Sequence, residues 1–192
     1  MNQGHTTALL TMAKSGDRES FNILCSRIIP RLLIYIRAFL GPEHGLECEA
    51  EDIAQDVLIK AHLKLSTFEK ESSRSFFAWL TSITRNTIKD QWIFWSRASR
   101  DRSKTQYEYP ELASYYHSAL SKMIIDEDRN CLNNALLSLP EHYRIIIIKR
   151  QFEELSFAEI SSELGKAVDA VRMLHARAMV RLTKEMARER QG

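Results

Sequence analysis

The sequence predicts an all-α protein of two small helical domains joined by a linker. Three observations lead there. Apolar residues recur three and four apart along almost every segment. Glycine and proline are sparse, at six and four residues of 192. No pair of alternating apolar and polar runs suggests a strand hairpin.

Taken in order, Asp17 is placed to cap a helix whose Phe21, Leu24, Ile28, Leu32, Tyr35 and Phe39 form one stripe. Gly41-Pro42 ends it, and Pro30 is expected to kink it by removing a backbone hydrogen bond. A second helix, about Glu49 to Leu65, has Ile53, Val57, Ala61 and Leu65 on its core face. Its other face carries Asp52, Gln55, Asp56, Ile59 and Leu63. That mixture of carboxylates, an amide and exposed aliphatics suits the docking of a partner helix with basic and apolar side chains.

A third helix, roughly Ser75 to Trp95, holds more aromatic surface than one stripe needs, and most of its rings are expected in the core. Trp79, Arg85, Asn86 and Lys89 share a broad face of ring, amide and cation, the mixture that stacks on and hydrogen-bonds unpaired bases. From Arg97 to Asp128 the pattern weakens into a linker.

The carboxy-terminal part is the most legible. One helix around Cys131 to Leu137 ends at Leu139-Pro140, and another spans Glu141 to Phe152 with Ile145 to Ile148 buried. Ser156 followed by Glu159 is a capping box opening a short helix, Phe157 to Leu164. Gly165 supplies a turn, where a positive φ costs glycine little. The next helix, from about Asp169, turns Val171 and Leu174 inward and Arg172, Met173, Ala176 and Arg177 outward. A helix-turn-helix lays its second helix in the major groove of DNA, where Arg172 and Arg177 could each pair with guanine.

Charge supports the same end of the chain. The net charge is only +2, but residues 166–192 carry seven basic side chains (Lys166, Arg172, Arg177, Arg181, Lys184, Arg188, Arg190) against three acidic ones, Asp169, Glu185 and Glu189. A basic helical face attracts phosphate. Apolar runs such as Ile145 to Ile148 fall far short of the roughly 20 residues of a spanning helix, and the amino terminus lacks a basic segment followed by an apolar one. Three cysteines, Cys25, Cys48 and Cys131, without C-x-x-C spacing fit a reducing compartment, so a cytoplasmic protein without disulfides is expected. His44, Cys48 and His62 lack a metal-ligand pattern, and no metal or other cofactor is expected. No nucleophile motif, H-E-x-x-H or glycine-rich phosphate loop appears, which argues against an enzyme.

The segments Glu49 to Val57 (EAEDIAQDV) and Phe77 to Asn86 (FAWLTSITRN) resemble conserved region 2 of the extracytoplasmic-function (ECF) sigma factors, within the sigma-70 family. Leu136 to Pro140, Arg144, Glu154 to Ile160 (ELSFAEI), Leu164-Gly165, Ala170 to Arg172 and Arg177-Ala178 are similar to their region 4. The resemblance implies a promoter-specificity subunit of RNA polymerase, with a region 2 domain at 1–96, a linker at 97–128 and a region 4 domain at 129–192. Asp52, Gln55, Asp56 and Ile59 would bind the clamp helices of the largest polymerase subunit. Arg74, Phe76, Trp79, Arg85, Asn86 and Lys89, with the loop Glu69 to Ser75, would read and open the -10 element, capturing a flipped base. Arg172, Met173, Ala176, Arg177 and Arg181 would read the -35 element, and region 4 would dock on the flap of the second-largest subunit. An anti-sigma factor, often membrane-bound in such families, is implied as a further partner. The run Gln91 to Trp95 (QWIFW) stands where the family has a basic cluster, and is expected to pack against region 4 or an inhibitor in an inactive form. Two other readings remain open on residues alone: a helix-turn-helix regulator independent of the polymerase, and an all-helical hydrolase.

Overall fold

Helical periodicity becomes helix throughout the computed structural model, which describes residues 3–42, 47–68, 75–97 and 127–191. In chain order the described helices are α1 (Gln3–Lys14), α2 (Arg18–Leu40), α3 (Glu47–Leu63), α4 (Phe76–Arg97), α5 (Glu127–Leu137), α6 (Glu141–Ile147), α7 (Phe157–Leu164) and α8 (Val168–Glu189). A 3-10 turn, Leu65–Thr67, follows α3. There is no strand among the described residues. Most of the expected linker lies outside them, as does the loop from Glu69 through Arg74.

Helix α2 organises the molecule. Asp17 caps it as expected, accepting from the Glu19 amide at 3.2 Å. Gly41, at φ 82°, closes it with its N–H on the Arg37 carbonyl. The helix continues through Pro30, which is buried within it. Leu24, Leu32, Tyr35 and Ile36 are almost fully buried. Helix α1, which no sequence motif marked, packs Leu10 and Ala13 onto α2. Its Lys14 ammonium reaches the Phe68 carbonyl at the 3-10 turn.

Helices α3 and α4 complete a bundle, with α3 lying between α2 and α4. Flanked on two sides, α3 buries a wider arc than one stripe. Gln55 and Ile59, expected on its exposed face, are therefore buried at 5% and 8% relative exposure.

The carboxy-terminal helices do not form a detached core. Helix α5, helix α6 and the turn after α6 all pack on α2, and Leu136, Ile146, Ile147 and Phe152 join the same hydrophobic cluster as Leu32 and Tyr35. The seam between the halves depends on an irregular stretch. Ile148–Phe152 forms a π-helical turn, in which the Glu153 amide bonds the Ile148 carbonyl five residues back. Glu154 then adopts φ 57°, a left-handed conformation that costs a residue with a Cβ about 1–2 kcal/mol. At the other edge of the seam, the buried Arg144 guanidinium bonds the Leu139 carbonyl. It lies so near Gly41 that a Cβ there would stand 2.9 Å from its Nη2.

Candidate nucleic-acid interface

The carboxy-terminal site is built from its caps outward. The Ser156 hydroxyl accepts from the Glu159 amide at 3.2 Å, and the Glu159 carboxylate accepts from the Ser156 amide at 2.7 Å, closing the capping box that starts α7. Gly165 takes the left-handed turn at φ 62°. Ile160, Val171 and Ala178 are fully buried where α7 crosses α8. That packing turns Arg172, Met173, Ala176, Arg177 and Arg181 to solvent. The expected row is thus assembled on one helix face. Leu174, expected in the core, is only half-buried.

Neighbouring groups steady the row. Asp169, in the first turn of α8, accepts from Arg172 at 3.3 Å. The Arg172 guanidinium also lies over the Phe157 ring at 5.9 Å. His175 meets Phe157 edge-on at 5.5 Å, and burial together with Arg150 lowers its pKa, favouring the neutral ring. Along the helix, Ala176, Arg177, Val180, Arg181 and Lys184 line a shallow groove closed by Tyr143 of α6. Its mixed basic and apolar wall extends the face beyond the helix-turn-helix.

The amino-terminal site is more selective than its sequence pattern. Phe68, Phe76 and Trp79 form a ring cluster with centroids 5.3 to 5.4 Å apart. The 3-10 turn brings Phe68 against the first turn of α4, so Phe76 is buried at 5% exposure and offers no face for a base. This corrects the expectation for Phe76, which instead supports Trp79. Trp79 is half-buried, and Asn86, two turns further on, is exposed with Lys89 beside it. Arg85 lies about 100° around the helix from Asn86 and points elsewhere: its Nη1 bonds the Glu153 carboxylate at 2.9 Å. Arg74 lies outside the described residues. Trp92 is 52% exposed, and the side chains of Ile93 to Trp95, on which the expected packing of this run would rest, lie outside the description.

On α3, Asp52 is exposed and Asp56 half-buried. Asp56 accepts from Gln91 Nε2 of α4 at 2.9 Å. Burial pushes its carboxyl up, against the opposing effects of the Gln91 hydrogen bond and Lys60. Lys60 itself bonds the Thr87 hydroxyl at 3.2 Å and sits 3.8 Å from Asp90. Leu63 is exposed at 48%. The anticipated docking surface reduces at its exterior to Asp52, Asp56 and Leu63, with Gln55 and Ile59 beneath.

Residues that the sequence reading passed over make the contact between the halves. Tyr35 donates to Glu153 at 2.9 Å inside the protein; burial first, then the Glu153 carboxylate, pushes the phenol pKa up. Arg31 bonds the Gln151 carbonyl at 2.8 Å and lies 4.0 Å above the Phe77 ring. Glu154 accepts from both the amide and the hydroxyl of Ser75, at 3.1 and 2.6 Å. Tyr35 was legible only as one more core position, and Glu153-Glu154 only as the approach to a capping box.

Among the described residues no group of three His, Cys, Asp or Glu side chains is placed to hold a metal. His62 packs edge-on against Phe21, and His44 lies outside the description. No described helix is long and apolar enough to cross a membrane.

Comparison with known proteins bears on both halves. Residues 25–100 match the family model Sigma-70 region 2, and residues 129–182 match Sigma-70, region 4. The chain is 30% identical to the ECF RNA polymerase sigma factor SigD of Mycobacterium tuberculosis, over 93% of this chain and 82% of that one. It is 31% identical to the RNA polymerase sigma factor YlaC of Bacillus subtilis, over 91% and 96%. It is 27% identical to the RNA polymerase sigma-H factor of Pseudomonas aeruginosa, over 97% and 96%.

Proposed function

The chain belongs to the ECF sigma factors of the sigma-70 family, transcription initiation factors and not enzymes, and from that premise we propose how its residues divide the work of promoter recognition. Residues 1–96 form the unit that holds the polymerase and opens DNA, 97–128 the linker, and 129–192 the unit that reads the upstream element. Asp52 and Asp56 present carboxylates to basic side chains of the polymerase clamp helices, with Leu63 adding apolar contact and Gln55 and Ile59 supporting the face from below.

Trp79, Asn86 and Lys89 form the surface for the unpaired -10 strand. Trp79 offers a ring for stacking, Asn86 an amide for a base edge and Lys89 a charge for phosphate. Arg85 joins them once released from Glu153, and Arg74 belongs to the same set through the family resemblance. At the upstream element, Arg172, Met173, Ala176 and Arg177 enter the major groove, and Arg181 follows the backbone. Region 4 also docks on the polymerase flap. The chain works in the cytoplasm, and an anti-sigma factor, anchored in a membrane or free, controls its release.

The single observation that carries this division is the solvent-facing row Arg172, Met173, Ala176 and Arg177 on the second helix of a capped helix-turn-helix, in the same chain as the Trp79, Asn86 and Lys89 face. Run-off transcription with core polymerase on a library of upstream sequences tests it. Initiation at sites sharing paired -35 and -10 elements, lost when Asn86 and Lys89 are both replaced by Ala, is the expected result. DNA binding by the free chain without any polymerase-dependent initiation would favour a polymerase-independent regulator instead.

A further inference from the structure

Two glutamates of the carboxy-terminal half sit on two anion-attracting groups of helix α4. Glu153 pairs with the Arg85 guanidinium at 2.9 Å. Glu154 bonds the amide and hydroxyl of Ser75, immediately before the first residue of α4. A helix start, here capped by the Ser75 hydroxyl on the Ala78 amide, and a nearby arginine are groups that take DNA phosphates. Here both are filled from within the chain.

The fit is specific. Glu153 is 3% exposed and also accepts from Tyr35, so its carboxylate is held at a fixed point between α2 and α4. Glu154 keeps its place although its backbone is left-handed at φ 57°. The π-helical turn before the pair supplies the extra residue that carries it to the seam. A residue held against its backbone preference, with its side chain on a partner helix, marks a contact that the surrounding packing sustains.

The seam is also incompletely packed. A groove of about 480 Å³ runs along it, lined by Arg27, Pro30, Ile34, Leu132 and Met179 among others. Beside the apolar cluster that the two halves share, several of its closing contacts are polar ones that water can replace on opening: Tyr35 to Glu153, Arg31 to Gln151 and Ser75 to Glu154. Such a seam can exchange between closed and open forms more readily than a sealed apolar core.

We propose that Glu153 and Glu154 are an internal stand-in for the DNA backbone. In the closed chain they occupy Arg85 and the start of α4, and opening exchanges them for phosphates of the melted strand. The free factor thereby restrains its own affinity for single-stranded DNA, with no other protein required. This rests on the assignment of α4 to the -10 strand, and the test separates the two ideas.

The test uses the full chain, with binding of a fluorescein-labelled oligo(dT) strand of about 20 nucleotides followed by anisotropy. E153Q/E154Q should bind about tenfold or more tightly than the wild type, because apparent affinity scales with the open fraction. Replacing two exposed glutamates that make none of the cross-seam contacts above, E127Q/E141Q, makes the same change in net charge and should alter affinity no more than about twofold. Adding Arg85→Ala to E153Q/E154Q should reverse most of the gain. Should the double variant not fold, Glu154→Gln alone removes one carboxylate while leaving the backbone as it is, and should still give a partial gain.

Equal tightening by E127Q/E141Q would reduce the effect to net charge and overturn the proposal, as would an unchanged affinity in E153Q/E154Q and Glu154→Gln alike. If those variants are unchanged while run-off transcription still depends on Asn86 and Lys89, the internal stand-in fails and the assignment of α4 stands. If the variants gain affinity but transcription is indifferent to Asn86 and Lys89, the assignment fails instead.

Discussion

Helices α4 and α8 each carry basic side chains suited to DNA, yet they stand in opposite states. On α8, Arg172, Met173, Ala176, Arg177 and Arg181 all face solvent, Arg172 and Arg181 pairing with Asp169 and Glu185 of the same helix. On α4, Arg85 is bound to a carboxylate from the other half of the molecule, and the residue before the helix is bound to a second. The α8 row is open, whereas α4 keeps Asn86 and Lys89 exposed but has Arg85 and its start held. On the proposed assignment, the difference matches what each would meet. A major-groove reader engages intact duplex and can stand ready, whereas a surface for unpaired strand has no proper ligand until DNA opens.

The largest expected effect separates these two states. Arg172→Ala with Arg177→Ala should lower initiation at promoters dependent on a -35 element by roughly thirtyfold or more, from about 1–3 kcal/mol for each of two good arginine–guanine pairs. Measured by run-off transcription, the loss should be the same in the wild-type and E153Q/E154Q backgrounds, because the α8 face is already open. A loss that changed with the background would break the contrast.

A smaller effect probes the held side. Tyr35→Phe removes one hydrogen bond to Glu153 and keeps the ring packing. At about 0.5–1.5 kcal/mol for a hydrogen bond, it should tighten oligo(dT) binding by about two- to tenfold in the anisotropy assay. An unchanged affinity would mean that the Glu153 contact does not govern opening.

Ser156→Ala addresses the presented side through stability. It removes the side-chain half of the capping box at α7 and should cost about 1 kcal/mol. Calorimetry should show a melting temperature about 2–4 °C lower, with oligo(dT) affinity unaltered.

The smallest effect concerns Asp56, which ties the α3 surface to α4. Burial raises its carboxyl pKa above the unfolded value. The native state therefore binds the proton more tightly, and this group's contribution is present at low pH and lost as pH rises through its folded pKa. Asp56→Asn keeps an acceptor for Gln91 and cannot ionise. It should raise the melting temperature at pH 7 by no more than about 2 °C, with the gain vanishing below the unfolded carboxyl range. Polymerase binding should weaken at the same time.

Much of the molecule was legible because local rules and tertiary packing agree. The capping box at Ser156, the left-handed Gly165 and the inward Ile160 and Val171 each obey a short-range pattern, and α7–α8 follows it. Asp17 and Gly41 mark the ends of α2 in the same way. Gln55 and Ile59 departed from expectation because each lies on a helix side that a single-stripe reading assigns to solvent, but a second neighbour covers it: helix α3 has α4 as well as α2. Phe76 was given its DNA role by the family resemblance alone, and Phe68 covers it. The held contact was invisible for a different cause. Tyr35 and Glu153 are 118 positions apart, and no local pattern tells a glutamate near a helix-turn-helix that its partner lies on the other half. The φ of Glu154 is likewise a tertiary fact, since sequence alone would place glycine there.

The most direct measurement is the distance between labels on exposed positions of the two halves, Lys64 after α3 and Lys184 on α8, in the free chain and after addition of core polymerase. Pulsed electron resonance on the doubly labelled chain, with its own cysteines replaced, would give both distributions. The account predicts one short, narrow distribution for the free chain and a distinctly longer one in the complex, with E153Q/E154Q already populating the longer distance before polymerase is added. A free chain with the long distribution, or a complex that keeps the short one, would contradict it.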